Sequence, residues 1–254
     1  MKTSRDGKFS SSIQALNAKQ GEPVSAFAAK QRERASAFTL LELLVVITII
    51  IILIGFLFPA FRGIQDQAKR TQAKNDLNQI VTAISAFYTE YGYYPLPSGI
   101  NTDTIYGDPS VGGSPNNLIL DILRYDTSHG DGAWVQTINP RQVVFIEPPV
   151  ARDQTNPKLG IRFTTGMWYD PWGYQYNMTI DANYNGVANA QTAPNYTDLG
   201  TTYATATDNS GDKGPKTGAV AWTYGADDKI GNNGDAYYKD PTSGIQSDDV
   251  VSWQ

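Results

Sequence analysis

The chain has 254 residues, with 20 Lys and Arg against 25 Asp and Glu, one His and no Cys, and a formal charge of −5. At roughly 150 residues per domain, that length admits one large domain or two small ones. Without Cys there is no disulfide, thiol nucleophile or thiolate metal site. The single His excludes any site built on two imidazoles, and the acidic balance argues against a dedicated nucleic-acid binder, so no specific nucleic acid is predicted as a partner.

Residues 1–37 carry Lys2, Arg5, Lys8, Lys19, Lys30, Arg32 and Arg34 against Asp6, Glu22 and Glu33, so a basic leader precedes an acidic body. From Phe38 to Phe61 the only charge is Glu42, and between Leu43 and Phe58 only Thr48 and Gly55 interrupt the large apolar side chains. A helix of that length reaches roughly 36 Å, enough for a hydrocarbon core of about 30 Å. The β-branched run from Val45 to Ile52 favours strand in water, but lipid offers backbone groups no partner and enforces helix. A secretory signal would have an apolar region of about 7 to 15 residues and a small-residue cleavage site. Pro59-Ala60-Phe61-Arg62 has no such pattern. An uncleaved anchor is the plainer alternative. Basic residues flank the span on both sides, so charge does not orient it.

Leu77, Ile80, Val81, Ile84, Phe87, Tyr88 and Tyr91 then recur at helical spacing, and Gly92 and Pro95 end the element. The span runs on into an amphipathic helix, together a rod of roughly 80 Å weakened at Gly55 and Pro59. Lys69, Arg70 and Lys74, diluted by Asp66 and Asp76, read as a solvated face.

Ala37-Phe38-Thr39-Leu40-Leu41-Glu42-Leu43-Leu44, behind a basic leader, resembles the processing site of the type IV pilin and pseudopilin family. The resemblance implies that a prepilin peptidase cuts between Ala37 and Phe38 and methylates the new amine of Phe38, with Ala37 standing where the family usually has Gly. It also places Glu42 and Pro59 at positions familiar in that family, with an expected role in assembly. Elementary electrostatics gives Glu42 the same task. A carboxylate in a membrane helix costs on the order of 2.5 to 3.5 kcal/mol at the helix centre, and less near an end. The Phe38 amine of an axially displaced neighbouring copy, with a reference pKa of about 7.7 to 8.0, is a cation at the same depth. The bland reading is that Glu42 only complements the positive helix terminus.

Residues 95–254 are long enough for one core. Asn116-Asn117 is read as the cap of a helix over Leu118–Tyr125, ahead of Gly130. Strands are expected at Gln142–Glu147, Leu159–Thr164, Tyr174–Ile180 and Ala219–Tyr224, with an Asn/Thr/Gly-rich surface excursion between Asp181 and Gly218. The expected fold is α+β and type IV pilin-like: a long N-terminal helix, half transmembrane and half amphipathic, packed on a small antiparallel β-sheet with long loops. Its divisions are a cleaved leader (1–37), a transmembrane half (38–61), an amphipathic half (62–94) and a globular part (95–254).

Asp170-Pro171-Trp172-Gly173 and the aromatic strand after it resemble a turn of the major pseudopilins of type II secretion systems. Tyr224-Gly225-Ala226-Asp227, with Ser247-Asp248-Asp249 and Trp253, resembles their calcium-binding end. Ca²⁺ takes six to eight oxygen ligands. Asp227, Asp248 and Asp249 offer carboxylates, the carbonyls of Tyr224 and Gln246 are plausible additions, and a solvated acidic tail is the alternative. Asp181-Ala182-Asn183-Tyr184-Asn185-Gly186-Val187 copies the opening of an EF-hand loop, but Thr192 stands where the bidentate Glu belongs, so an Asn-Gly hairpin turn is preferred. His129 reads as a turn residue. Trp168, Tyr169, Trp172, Tyr174 and Tyr176 read as core and sheet surface rather than a sugar platform.

These features imply a structural subunit and no enzyme. The expected role is in a helical type II secretion pseudopilus, with a surface type IV pilus as the alternative and an uncleaved, membrane-anchored binding or enzymatic domain as the rival class. The implied partners are identical copies in a filament, prepilin peptidase, an inner-membrane assembly platform with its cytoplasmic ATPase, minor pseudopilins or pilins, and lipid. The implied location is single-pass in the inner membrane, with the globular part in the periplasm and the filament periplasmic or at the cell surface.

Overall fold

A computed structural model describes residues 38–109, 112–188, 214–231, 234 and 238–253, the side chains of 57–62 excepted. The leader with Ala37, the Pro59 side chain, Thr192 and most of the 181–218 excursion lie outside the described residues. The chain divides into two compact units, Met1–Ile52 and Leu53–Gln254.

Helix α1 (Leu40–Tyr91) begins in the first unit and ends in the second, helical through Gly55 and Pro59. In the first unit its large side chains are exposed, Leu40 and Leu43 to Ile52 among them. Thr48 Oγ1 donates to the carbonyl of Leu44 at 2.7 Å, which satisfies the one hydroxyl in this run. Among the described residues no helix is long and apolar enough to cross a membrane. The apolar run is described with its side chains only as far as Phe56.

In the second unit α1 buries Ala73, Leu77, Ile80, Ala83, Ile84 and Phe87; of the stripe read from the sequence, Val81 and Tyr91 are only partly buried and Tyr88 is left 40% exposed. The helix stops where expected, with the N–H of Gly92 bonded to the carbonyl of Tyr88 at 2.8 Å and Gly92 at φ +75°. Opposite lies a four-stranded antiparallel sheet built from β1 (Ile105–Tyr106), β4 (Asn177–Ile180), β5 (Ala219–Thr223) and β6 (Val250–Val251), in that order. A second pair, β2 (Gly160–Ile161) and β3 (Trp168–Tyr169), is also antiparallel. The fold is therefore α+β, a helix followed by antiparallel sheets.

Side chains alternate across β5. Ala219 and Ala221 join the core that holds the buried stripe of α1, while Val220 and Trp222 join a second cluster with Val251, Ala188, Tyr224 and Trp253. Both faces of β5 are covered, the second by chain from before and after it.

Helix α2 (Asn117–Arg124) falls where expected, but Asn116 does not cap it through its side chain. Its amide instead bonds the carbonyls of Trp168 and Tyr176 and the N–H of Trp168, at 2.9, 3.0 and 3.1 Å, and so ties β3 to the residue just before β4. Helix α3 (Gly132–Ile138) had no periodic signal long enough to read. The strand expected at Gln142–Glu147 is absent. Val143 is paired instead by the side chain of Asn139, through Val143 N at 3.0 Å and Val143 O at 2.7 Å, and the N–H of Phe145 reaches the carbonyl of Leu123 at 2.8 Å. The Asn185-Gly186 turn closes no tight hairpin, because the strands on either side of it, β4 and β5, pair across the whole 181–218 connection. Asp181 braces it by accepting from the N–H groups of Asn185 and Gly186 at 3.0 and 2.8 Å.

The solvated face expected at Arg70 and Lys74 is also corrected. Arg70 donates to the carbonyl of Ser247 at 2.5 Å and Lys74 to that of Val251 at 2.7 Å, so both clasp the C-terminal segment. Asp76 is 2% exposed and accepts from Tyr176 Oη at 2.7 Å and Gln72 Nε2 at 2.8 Å.

Candidate functional site

The amino-terminal site is built on two residues that neutralise a helix end. The first turn of any helix leaves N–H groups without intrahelical partners. Here the backbone N–H and the hydroxyl of Thr39 both donate to Glu42 Oε2, at 2.9 and 2.8 Å, while the N–H of Glu42 donates to Thr39 Oγ1 at 3.2 Å. This reciprocal arrangement is a capping box. Phe38, just ahead of it, is 72% exposed. The sequence carried the signal as Thr-x-x-Glu at residues 39–42. Within one chain, Glu42 has the bland partner set, its own helix terminus.

The second constellation lies around the Asp-Pro-Trp-Gly turn. Asp170 Oδ1 accepts the N–H groups of Trp172, Gly173 and Tyr174 at 2.9, 2.7 and 3.0 Å, and Thr223 Oγ1 donates to Oδ2, tying the turn to β5. Burial pushes the Asp170 carboxyl up, against the pull of those four donors. Beside it, the loop after β5 meets the segment before β6. Asp248 Oδ2 accepts from the N–H of Ala226 and, at 3.3 Å, of Asp227, and Asp249 Oδ2 accepts from that of Gly231 at 2.6 Å. The segments approach so closely that a Cβ on Gly225 would stand 2.5 Å from the Asp248 carbonyl oxygen.

The family model for the prokaryotic N-terminal methylation motif matches residues 32–58. Over 65 residues the chain is 38% identical to the type II secretion system core protein G of Pseudomonas aeruginosa. Its N-terminal segment therefore carries a prokaryotic methylation motif and is similar to that of a type II secretion pseudopilin. That alignment covers 26% of this chain and 46% of the relative, so the chain spans less than half the length of the protein it matches. No solved structure matches it.

The structure brings the segments bearing Tyr224, Asp227, Asp248 and Asp249 together, but by carboxylate-to-amide hydrogen bonds. Gln246 is exposed and its side-chain amide turns to Tyr238 Oη at 3.0 Å. The three carboxylates form no cluster of their own: among the described residues, the three acid or imidazole groups with atoms within 4.8 Å of one another are Asp121, Asp126 and His129. Asp108 and Asp228, which sequence reading passed over, add negative charge near the turn. Burial first, then Asp108, Asp170 and Asp227, pushes the Asp228 carboxyl up to about 6.

His129 is not the plain turn residue expected, since its side chain is 5% exposed. Of the aromatic run, Trp168 and Tyr176 are fully buried and meet edge to face at 5.3 Å, so they are core.

Proposed function

We propose that the chain is a structural subunit of a type II secretion pseudopilus, inserted in the inner membrane through residues 38–61, cut between Ala37 and Phe38, and methylated on Phe38. The observation that carries this reading is the methylation motif over 32–58, set on a helix whose first described turn holds Glu42 in a capping box. The resemblance to core protein G supports a secretion filament over a surface pilus. Within one chain the Glu42 carboxylate serves its own helix end. In a bundle, the Phe38 amine of a neighbouring copy supplies the charge that lipid does not. Pro59 lies inside the same span and is assigned to assembly with Glu42. The filament requires prepilin peptidase, an assembly platform and its ATPase, and minor pseudopilins.

Mass spectrometry of the mature amino terminus is the direct test. A methylated peptide beginning at Phe38 is expected, and an intact leader would support the uncleaved anchor instead. Glu42→Ala is expected to leave cleavage unchanged and to lower filament yield at least several-fold; undiminished filaments would remove the assembly role of Glu42.

Calcium is proposed as the cation of the C-terminal junction, on the oxygen-only chemistry of Asp227, Asp248 and Asp249 with the carbonyls of Tyr224 and Gln246. The negative charge that Asp108, Asp170 and Asp227 gather around the half-buried Asp228 supports it. Bound calcium would add to the closure that the amide hydrogen bonds already provide. Adding it at about 1 mM, the scale of extracellular modules, is expected to raise the melting temperature, and no response by calorimetry or melting would leave this end a plain hydrogen-bonded clasp.

A further inference from the structure

His129 is the only histidine in the chain, and its ring joins three segments. Nδ1 lies 3.0 Å from Oδ2 of Asp121 on α2, and Nε2 lies 3.0 Å from the carbonyl oxygen of Phe163, in the turn between β2 and β3. The Asp121 side chain is 0% exposed. The turn sits hard against this pair: Gly166, at φ +71°, leaves so little room that a Cβ would stand 2.7 Å from both Asp121 Oδ1 and His129 Nδ1.

A carbonyl oxygen only accepts, as does an ionised carboxylate, and a neutral imidazole has a single N–H. A neutral ring serves one of these oxygens and turns a lone pair to the other; a ring with two protons serves both. Burial pushes the Asp121 carboxyl up, and it is Asn117 Nδ2, donating at 3.1 Å, and the charged imidazole beside it that favour its ionised form. We propose that His129 is a proton-operated latch: charged, it ties α2 to the 162–166 turn, and on losing its proton it lets one of the two attachments go.

The groups that face the latch are Asp121 and Arg124 from α2, Asp126 from its own loop at 3.9 Å, and Asp131 at the start of α3, which acts on Asp121. Burial alone would lower the imidazole. The Phe163 carbonyl and the Asp121 and Asp126 carboxylates outweigh it and hold the ring above its ordinary value. The linkage sign follows. A group raised on folding contributes stability that is complete below its unfolded value of about 6.5 and is lost as pH rises through the folded value. The latch is independent of the filament role.

Because there is one histidine, ring NMR of the full chain in detergent, labelled in histidine, reads this residue alone. A single titration with a midpoint above 6.5 is expected, with both ring nitrogens protonated at pH 6. The amides of 163–166 should exchange faster above the midpoint, after correction for intrinsic pH dependence. Asp121→Asn should bring the midpoint down. A midpoint at or below 6.5 in the unaltered chain overturns the latch, whether or not the variant folds, and a midpoint that Asp121→Asn leaves in place does the same.

Discussion

Asp170 shows how much structure one carboxylate can organise. Three successive N–H groups and one hydroxyl converge on it in a site that is 0% exposed. A buried donor left without its acceptor carries its full desolvation penalty, about 1 to 3 kcal/mol each. Asp170→Ala is therefore expected to cost about 3 kcal/mol or more, read as a fall in the denaturant midpoint. A change under about 1 kcal/mol would mean that water replaces the carboxylate. The motif was legible in the sequence as Asp-Pro-Trp-Gly, but its bond to Thr223, 53 residues away, was not. Asp76 carries the same lesson. It sits at a stripe position of α1, where a charge reads as dilution, and only Tyr176, 100 residues on, makes it a buried hydrogen-bonding partner.

At the level of elements, α1 was the most legible part of the chain. Its period, Gly92 stop and apolar stripe depend on near neighbours, and the structure keeps all three. The segment at 142–147 was misread for the opposite reason. Its apolar run from Val143 to Ile146 was real, but an extended segment becomes a strand only when another backbone pairs along it, and here the Asn139 side chain and a single Leu123 carbonyl take that place. Short strands such as β1, β3 and β6 have two residues each and no usable period. The end of β6 is held to α1 by Lys74, whose half-buried ammonium is lowered by desolvation and donates to the Val251 carbonyl. Lys74→Ala is expected to cost about 1 kcal/mol and to speed amide exchange locally at Val250 and Val251. Unchanged exchange there would show that Arg70 and the sheet hold the strand without it.

Across the molecule, burial raises several carboxyls at once: Asp76, Asp121 and Asp170 in direction and Asp228 to about 6. Each binds its proton more tightly folded than unfolded, so the stability tied to it is full below about pH 4 and declines as pH rises through the folded value. Asp126, Asp153 and Asp240 are lowered and act in the opposite sense, but above about pH 5 they are ionised in both states and add no slope. The chain should therefore melt at a higher temperature at pH 5 than at pH 8. Thermal unfolding at the two pH values checks this, and the reverse order would place the buried acids in water.

What the sequence determined by itself was everything written in consecutive residues: the basic first 37 residues, the apolar run with its lone Glu42, the amphipathic stripe and the N-terminal methylation motif. Those properties rest on local spacing and composition, which the linear chain states outright. Tertiary structure alone decided which polar groups meet. It turned Arg70, Lys74 and Asp76 from a solvated face into a clasp and a buried pair, made Asn116 and Asn139 stand in for strand partners, and brought His129 between Asp121 and the Phe163 carbonyl. Hydrogen bonds depend on distance in space, and the period of a helix or strand carries no record of what another segment will place beside it.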